Sequence, residues 1–343
     1  MHNFCTYFDR NYLARGLTLY RSLASHASPF VLWALCFDDL TYDALCKLDL
    51  PNLRPIPLEV FERDDEALLA IKEHRNQVEY YFTCTPSWLL YLLKHLPALD
   101  SLTYLDADLF FYSSPQPIYE EMGDQSVLIV GHRFPRELRD REKYGIYNVG
   151  FLTFRNDSYG RECLHWWRER CLEWCYDRVE HGRFADQKYL DDWPVRFRQV
   201  VVLQHKGAGL APWNVENYSL ALRNGRVLVD SQSLVFFHFH NFKQVGRRLY
   251  DPGLARFGAQ ANRVLKQHVY KPYVRELSAT ARSLSGLVDK PHIRLASIRH
   301  RSPAIDTKGS ESRRLPENLK HRLFLSKKVY HGDLWLVIGG RIL

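Results

Sequence analysis

Two aspartates one residue apart, Asp106 and Asp108, close one apolar run (Leu102, Tyr104, Leu105) and open another (Leu109-Phe110-Phe111). In extended backbone the side chains alternate, so both carboxylates point the same way. Like charges side by side repel unless a cation lies between them. A hard divalent ion, Mn2+ or Mg2+, takes oxygen ligands and leaves positions open for phosphate. The run before the pair reads as a buried strand. The acids then lie at its carboxyl end, where open α/β sheets bind ligands. A solvated Asp-x-Asp turn is the other reading of the triplet.

Four further stretches carry polar groups where a core wants none. In Phe236-Phe237-His238-Phe239-His240 the histidines alternate with phenylalanines, so on a strand both face one side. His238, closing an apolar strand, is the candidate third metal ligand, and His240 is the weaker candidate. A satisfied core histidine is the alternative for each. Lys243, just beyond, can neutralise a diphosphate leaving group. Asp186-Gln187 stands at an expected helix start. The pair reads either as an N-cap or as a carboxylate and an amide facing a sugar, placed to stabilise positive charge at an anomeric carbon. Trp213, after the glycine-rich turn Lys206-Gly207-Ala208-Gly209, is a sugar-stacking face or a hydrophobic plug.

These residues need a scaffold, and the apolar periodicity describes one. Residues 3–9 read as a strand, 11–23 as a helix, 29–37 as a buried parallel strand, and 41–48 as a helix. Leu53–Leu58, with Pro55 and Pro57, suits an edge strand. Thr85-Pro86 reads as the cap and first turn of a helix running to about Leu96. Strands follow at 102–108 and 126–130, Tyr144–Phe154 combines a Gly/Asn turn with a strand, and a long helix runs from Tyr159 to Arg178 with a Trp/Cys/Leu stripe. Residues 246–272 read as helical. Strand–helix alternation, then antiparallel-looking strands, predicts an α/β fold: one mixed sheet with helices on both faces.

The chain has 343 residues and a net charge of +8, unevenly placed. Residues 271–343 hold 15 Lys+Arg against 6 Asp+Glu, whereas residues 1–270 hold 32 against 33. A neutral body argues against nucleic acid as a partner. A basic tail suits an anionic surface. Seven cysteines without a Cys-x-x-Cys pair, and an N-terminus without a basic or long apolar region, predict a reducing cytosol. No run approaches the roughly 18–20 apolar residues of a membrane span. The expected layout is one large domain over 1–272 and a basic linker and extension over 273–343. Ser278 to about Glu317 reads as a linker. The apolar and basic end, Leu323–Ile338, either docks back on the domain or touches the inner face of a membrane.

Taken in order, Asp9/Asn11-Tyr12, Leu105-Asp106-Ala107-Asp108, Asn148-Val149-Gly150-Phe151, Asp186-Gln187 and His238-Phe239 resemble the GT-A glycosyltransferases. The likeness is to the glycogenin and bacterial lipopolysaccharide galactosyltransferase group, and it spans about residues 3–245. It implies a GT-A fold and transfer of a hexose from a nucleotide-diphosphate sugar, UDP-linked by preference. The acceptor implied is a glycan or lipid-linked saccharide, in surface polysaccharide or lipopolysaccharide synthesis. It implies that Tyr7, Asp9 and Asn11 hold base and ribose, and that Asp106, Asp108 and His238 hold Mn2+ or Mg2+. Asn148 then lines the sugar pocket, and Asp186 and Gln187 flank the anomeric carbon. The chain departs from the group in two places. Residues 83–89 lack the expected arginine, and the segment after His238 lacks a glycine and carries its lysine one place early. A nucleotidyltransferase, or a non-catalytic nucleotide-sugar or glycan-binding protein on the same scaffold, are the competing readings.

Overall fold

The computed structural model describes residues 1–246, 248–287, 328, 334–338 and 341–342. Strands β1 (His2–Phe8), β2 (Phe30–Cys36) and β3 (Leu53–Pro57) alternate with helices α1 (Leu13–His26) and α2 (Asp39–Leu48). All three strands pair in parallel. Asp38 ends the turn after β2 and caps α2, accepting from the Thr41 N–H. Short helices α3 (Leu58–Arg63) and α4 (Glu66–Ile71) follow, the second capped by Asp65.

Helix α5 runs from Gln77 to His95, nine residues longer at its start than the sequence reading has it. A capping box between Asn76 and Glu79 starts it, and Pro86 lies inside the helix. Thr85 is therefore a mid-helix residue and not a cap. Next come β4 (Ser101–Leu105) and β5 (Leu109–Phe111). The chain turns at Asp106-Ala107 instead of running through the acids as one strand. The Leu109 N–H returns to the Asp106 carbonyl at 3.1 Å.

Helix α6 (Gln116–Met122), β6 (Val127–Gly131), β7 (Tyr147–Arg155), α7 (Ser158–Glu173), the single turn α8 (Trp193–Arg196) and β8 (Val200–Leu203) complete the main layer. The seven strands stand in the order β3-β2-β1-β4-β7-β6-β8, with β7 antiparallel to both neighbours and the other pairs parallel. The prolines of β3 sit on the edge, where no ladder donor is missed.

Alternation along the strands splits the interior into two cores. In β6, Leu128 and Val130 join the core under α1, α2 and α6. Val127 and Ile129 join the one under α3, α4, α5 and α7. Cys163, Cys171 and Trp167 of α7 are buried in the second core.

Beyond the sheet, β9 (Leu220–Arg223), β10 (Arg226–Val229) and β11 (Gln232–Ser233) form a small antiparallel sheet, and β12 (Phe236–His238) pairs with β5. Strands β13 (Lys243–Gly246) and β14 (Leu249–Asp251) follow, where the sequence reading places helix from 246. Helical structure resumes with a π-turn over Leu265–Tyr270 and continues in α9 (Lys271–Leu284), past residue 272. Strand β15 (Trp335–Ile338) pairs with β14 and with β16 (Arg341–Ile342). Leu334 and Trp335 are buried, and the Trp335 ring packs edge-on to Tyr270. The described part of the apolar C-terminal end thus docks on the domain. The expected linker begins at Ser278, but residues 278–284 continue α9, whose Thr280 and Leu284 are buried; from 288 onward it lies outside the described residues. Among the described residues, no helix is long and apolar enough to cross a membrane.

Leu89 is fully buried between α5 and the sheet, whereas Val195 is 94% exposed. Leu89→Ala should cost about 2–5 kcal/mol through lost burial and a residual cavity. Val195→Ala should stay within about 0.5 kcal/mol. Paired denaturant or thermal melts of the two variants check this.

Candidate active site

The site gathers at the carboxyl ends of β1, β4 and β12. The turn after β4 supplies Asp106 and Asp108. Strand β12 supplies His238 by pairing antiparallel with β5, Leu109 opposite His238. The Phe239 N–H donates to the Asp108 carbonyl at 2.9 Å, which locks the two segments in register. His238 Nε2 lies 3.1 Å from Asp108 Oδ1 and 3.5 Å from Asp106 Oδ2. The three side chains offer ligand atoms that all lie within 4.8 Å of one another.

Those separations suit a divalent ion, since ligands on bonds of about 2.1 Å at octahedral angles stand about 3 Å apart. Two carboxylate oxygens and one imidazole nitrogen are a donor set for Mn2+ or Mg2+. Gly150 on β7 makes the room. A Cβ there would fall 2.7 Å from Asn148 Oδ1, 2.8 Å from His238 and 2.9 Å from Asp106 Oδ2. The sequence reading quotes Gly150 within its motif but gives it no role. Its signal is that only glycine lets a strand pass this close to a cluster.

Charge within the trio is shared unequally. Burial pushes the Asp106 carboxyl above the usual range, against the pull of His238. Burial also opposes ionisation of Asp108, yet the charge and hydrogen bond of His238, then Arg15, hold it well below that range. Burial works against a charged His238, but Asp108 and then Asp106 raise its pKa overall. Tyr104 fixes Asp106 from behind, its hydroxyl donating to Oδ1 at 2.9 Å.

Asp186 lies 3% exposed and does not cap a helix. Its Oδ2 accepts from the Thr85 hydroxyl at 3.0 Å, and the Tyr7 hydroxyl lies 3.1 Å from Thr85. Its backbone carbonyl accepts from the Trp167 indole at 2.8 Å. Burial pushes the carboxyl up to about 7, and the nearby Asp106 adds to that rise. Thr85 is a site residue that the sequence reading missed, because it assigned Thr85 to a helix cap.

Gln187 and Asn148 belong to a second polar set. The Gly150 N–H donates to Asn148 Oδ1 at 2.9 Å, so the Asn148 amide nitrogen points the other way. That nitrogen donates to Gln187 Oε1 at 3.4 Å and to His132 Nε2 at 3.2 Å. Gln187 Nε2 donates to the Tyr144 carbonyl at 2.9 Å. His132 must therefore carry its proton on Nδ1. Burial first, then the charges of His238 and His240, push its pKa down to about 3, so it is a neutral acceptor. Nothing in its local sequence marked it.

Tyr7, Asp9 and Asn11 meet at the end of β1. Asp9 accepts from the Asn11 backbone and side-chain N–H groups, both at 2.9 Å. The Tyr81 ring stacks on Phe37 at 3.8 Å beside them. Tyr7 lies 5.4 Å from the Tyr104 ring, which joins this loop to the trio. Trp213 is 5% exposed, enclosed edge-on by His132, His238, His240 and Phe257. It has no open face for a sugar, and the plug is the reading that fits. His240 follows β12, outside the Asp106–Asp108–His238 trio, with its ring 5.7 Å from that of His238. Lys243 is exposed on β13, and its charge reaches His240.

Fold and site together define the class. The architecture is the GT-A fold of nucleotide-sugar glycosyltransferases, with a carboxylate–histidine cluster at the strand ends. A solved galactosyltransferase, LgtC, in complex with donor and acceptor sugar analogues, matches with a TM-score of 0.52 at 14% identity, covering 83% of this chain and 100% of that one. No family model matches the chain. Two curated relatives come from Bacillus subtilis (strain 168). The uncharacterized protein YfnF is 37% identical over 250 residues, 71% of this chain and 82% of its own length. The uncharacterized protein YfnD is 30% identical over 278 residues, 80% of this chain and 88% of its own length. The chain belongs to the family of YfnF and YfnD.

Gly150→Ala should leave the fold intact but displace Asp106 or His238, weakening Mn2+ binding by about tenfold or more in a calorimetric titration. Asp186 gives a pH signature. Between its unfolded value of about 3.9 and its folded value of about 7, the folded chain holds a proton that the unfolded chain has lost. Its contribution is thus fully present below the unfolded value and lost as pH rises through the folded one. Asp186→Asn stays neutral throughout. In EDTA the variant should melt several degrees above wild type at pH 8, and the gap should close toward pH 5.

Proposed function

We propose that this protein is a metal-dependent glycosyltransferase that moves a hexose from a UDP-sugar to a glycan or lipid-linked saccharide acceptor. The observation that carries the reading is the convergence of Asp106, Asp108 and His238 beside the Tyr7–Thr85–Asp186 chain, at the ligand-binding end of a GT-A sheet. A triphosphate-cradling glycine- and lysine-rich loop, which a nucleotidyltransferase would need, is absent from Thr6–Asn11.

A divalent ion, when bound, supplies Lewis-acid neutralisation of the diphosphate leaving group. Asp106, Asp108 and His238 would hold it, and Tyr104 keeps Asp106 oriented. The Asp9–Asn11 turn and the Phe37/Tyr81 stack offer hydrogen bonds and an aromatic edge to a base and ribose. Positive charge that grows at the sugar as the leaving group departs meets Asp186. That carboxyl gains or loses its proton near neutral pH, so a neighbouring cation keeps it ionised. The Asn148–Gln187 pair presents fixed amide groups to sugar hydroxyls. The uneven charge, with the excess in residues 271–343, supports an acceptor at an anionic membrane surface in polysaccharide synthesis.

Thermal shift with UDP-, GDP-, dTDP- and CMP-sugars, each with and without Mn2+, tests the donor. One nucleotide should raise the melting temperature by several degrees, and only with the metal. No shift with any donor would overturn the reading. Asp108→Ala should keep the fold and lower transfer by about a hundredfold or more. Unchanged activity of that variant in EDTA would rule out the metal's part.

A further inference from the structure

Arg15 is a cation beside the trio that no motif accounts for. It lies on α1, one turn after Asn11. Its Nη2 donates to the Phe242 carbonyl at 2.6 Å, and its guanidinium carbon lies 4.4 Å from the centre of the Tyr12 ring. Phe242 belongs to the segment that follows His238, so Arg15 is tied to the loop that closes the trio. Neither a carbonyl nor a ring cancels its charge. The guanidinium is half-buried, and the segment it bonds is itself bonded to Asp108: the Phe242 N–H donates to the Phe239 carbonyl at 3.0 Å and the Phe239 N–H to the Asp108 carbonyl at 2.9 Å, which brings the charge of Arg15 within reach of Asp108.

Charge balance says what such a cation is for. Asp106 and Asp108 already match the two charges of a divalent ion. A sugar-linked diphosphate adds about two negative charges more, and desolvated charges need partners. Helix α5 has no basic residue across 83–89. Lys243 is exposed on β13, whereas Arg15 is held in place by its carbonyl and its ring. A guanidinium also offers a planar fork that matches phosphate oxygens.

We propose that Arg15 is the diphosphate-facing cation of the donor site and that it couples filling of the metal trio to arrival of the donor. This rests on the nucleotide-sugar reading above. Without donor, the guanidinium partly neutralises Asp108 and repels a second cation. With donor, it engages the phosphate oxygens and no longer opposes the metal. Arg15 therefore weakens binding of the metal alone and strengthens binding of metal and diphosphate together.

The opposite signs make the test. The full chain, R15Q and R15K are titrated calorimetrically with Mn2+ alone and with UDP in saturating Mn2+, and uridine binding is followed by ligand-observed NMR. R15Q should bind Mn2+ alone about tenfold more tightly and UDP with Mn2+ about 10- to 100-fold more weakly. Uridine, which has no phosphate, should bind both alike. R15K keeps the charge but not the fork. It should retain the weak metal-alone affinity and lose part of the UDP affinity, and it carries the test if R15Q does not fold. Metal-alone affinity in R15K raised about tenfold would overturn the proposal. So would UDP affinity in R15Q within about twofold of wild type, or an equal loss for uridine. A wild type that binds Mn2+ but no nucleoside diphosphate would remove the donor reading itself. A wild type that binds UDP, with R15Q unchanged, would remove only the role of Arg15.

Discussion

Two carboxylates and one imidazole are held together where water is scarce, and most of the structure near them answers to that. Placing Asp106, a third exposed, beside the buried Asp108 is costly unless a positive charge is shared between them. His238 Nε2, at 3.1 and 3.5 Å, can share a proton with them or join them in holding a cation. Holding the histidine there requires the β5–β12 pairing, which joins residues about 130 positions apart in the chain. Holding the carboxylates requires the turn at Asp106-Ala107 and the Tyr104 hydroxyl behind it. Letting β7 run past the cluster requires a residue without a side chain at 150.

Around this centre, two polar sets are built differently. The chain from Tyr7 through Thr85 to Asp186 crosses from β1 to α5 to the loop after α7, tying the expected nucleotide side of the site to the expected sugar side. It ends in a carboxyl whose proton is finely balanced. The set from His132 through Asn148 to Gln187 contains no charge. Each of its amides is oriented by a backbone group, Gly150 N–H at one end and the Tyr144 carbonyl at the other. The two sets thus differ in kind: one is made of neutral groups fixed by backbone partners, the other ends in a buried carboxyl.

Where the sequence reading departs from the structure, a stronger local signal or a tertiary contact decides. Thr85-Pro86 resembles a helix start by local preference, yet the stronger Asn76–Glu79 capping box begins α5 earlier, and the helix carries the proline within it. The run through Asp106 and Asp108 looks like one strand because its flanks are apolar. Both flanks are strands, but they belong to different sheets, and the acids occupy the turn between them. Trp213 follows a glycine-rich turn that suits an exposed loop, and His132, His238, His240 and Phe257 close over it. Leu249–Asp251 carry no strong strand pattern of their own. They become strand through the ladder of β13, β14 and β15, whose last partner lies more than eighty residues downstream.

The alternation of strands and helices, the position of β3 at an edge, the three residues whose donor atoms could hold a hard cation, and the place of the acids at a strand's carboxyl end are legible in the chain alone. Each of these follows from short-range pattern: side-chain period, proline's missing donor, and residue types that can hold a hard cation. Only the tertiary structure decided that Gly150 makes room for the trio and that Thr85 holds Asp186. It also decided that His132 bonds the Asn148 amide and that Arg15 is tied to the Phe242 carbonyl. The reason is physical. Those roles depend on hydrogen bonds, steric gaps and charge pairs between residues distant in the chain, and none leaves a periodic mark on its own neighbours.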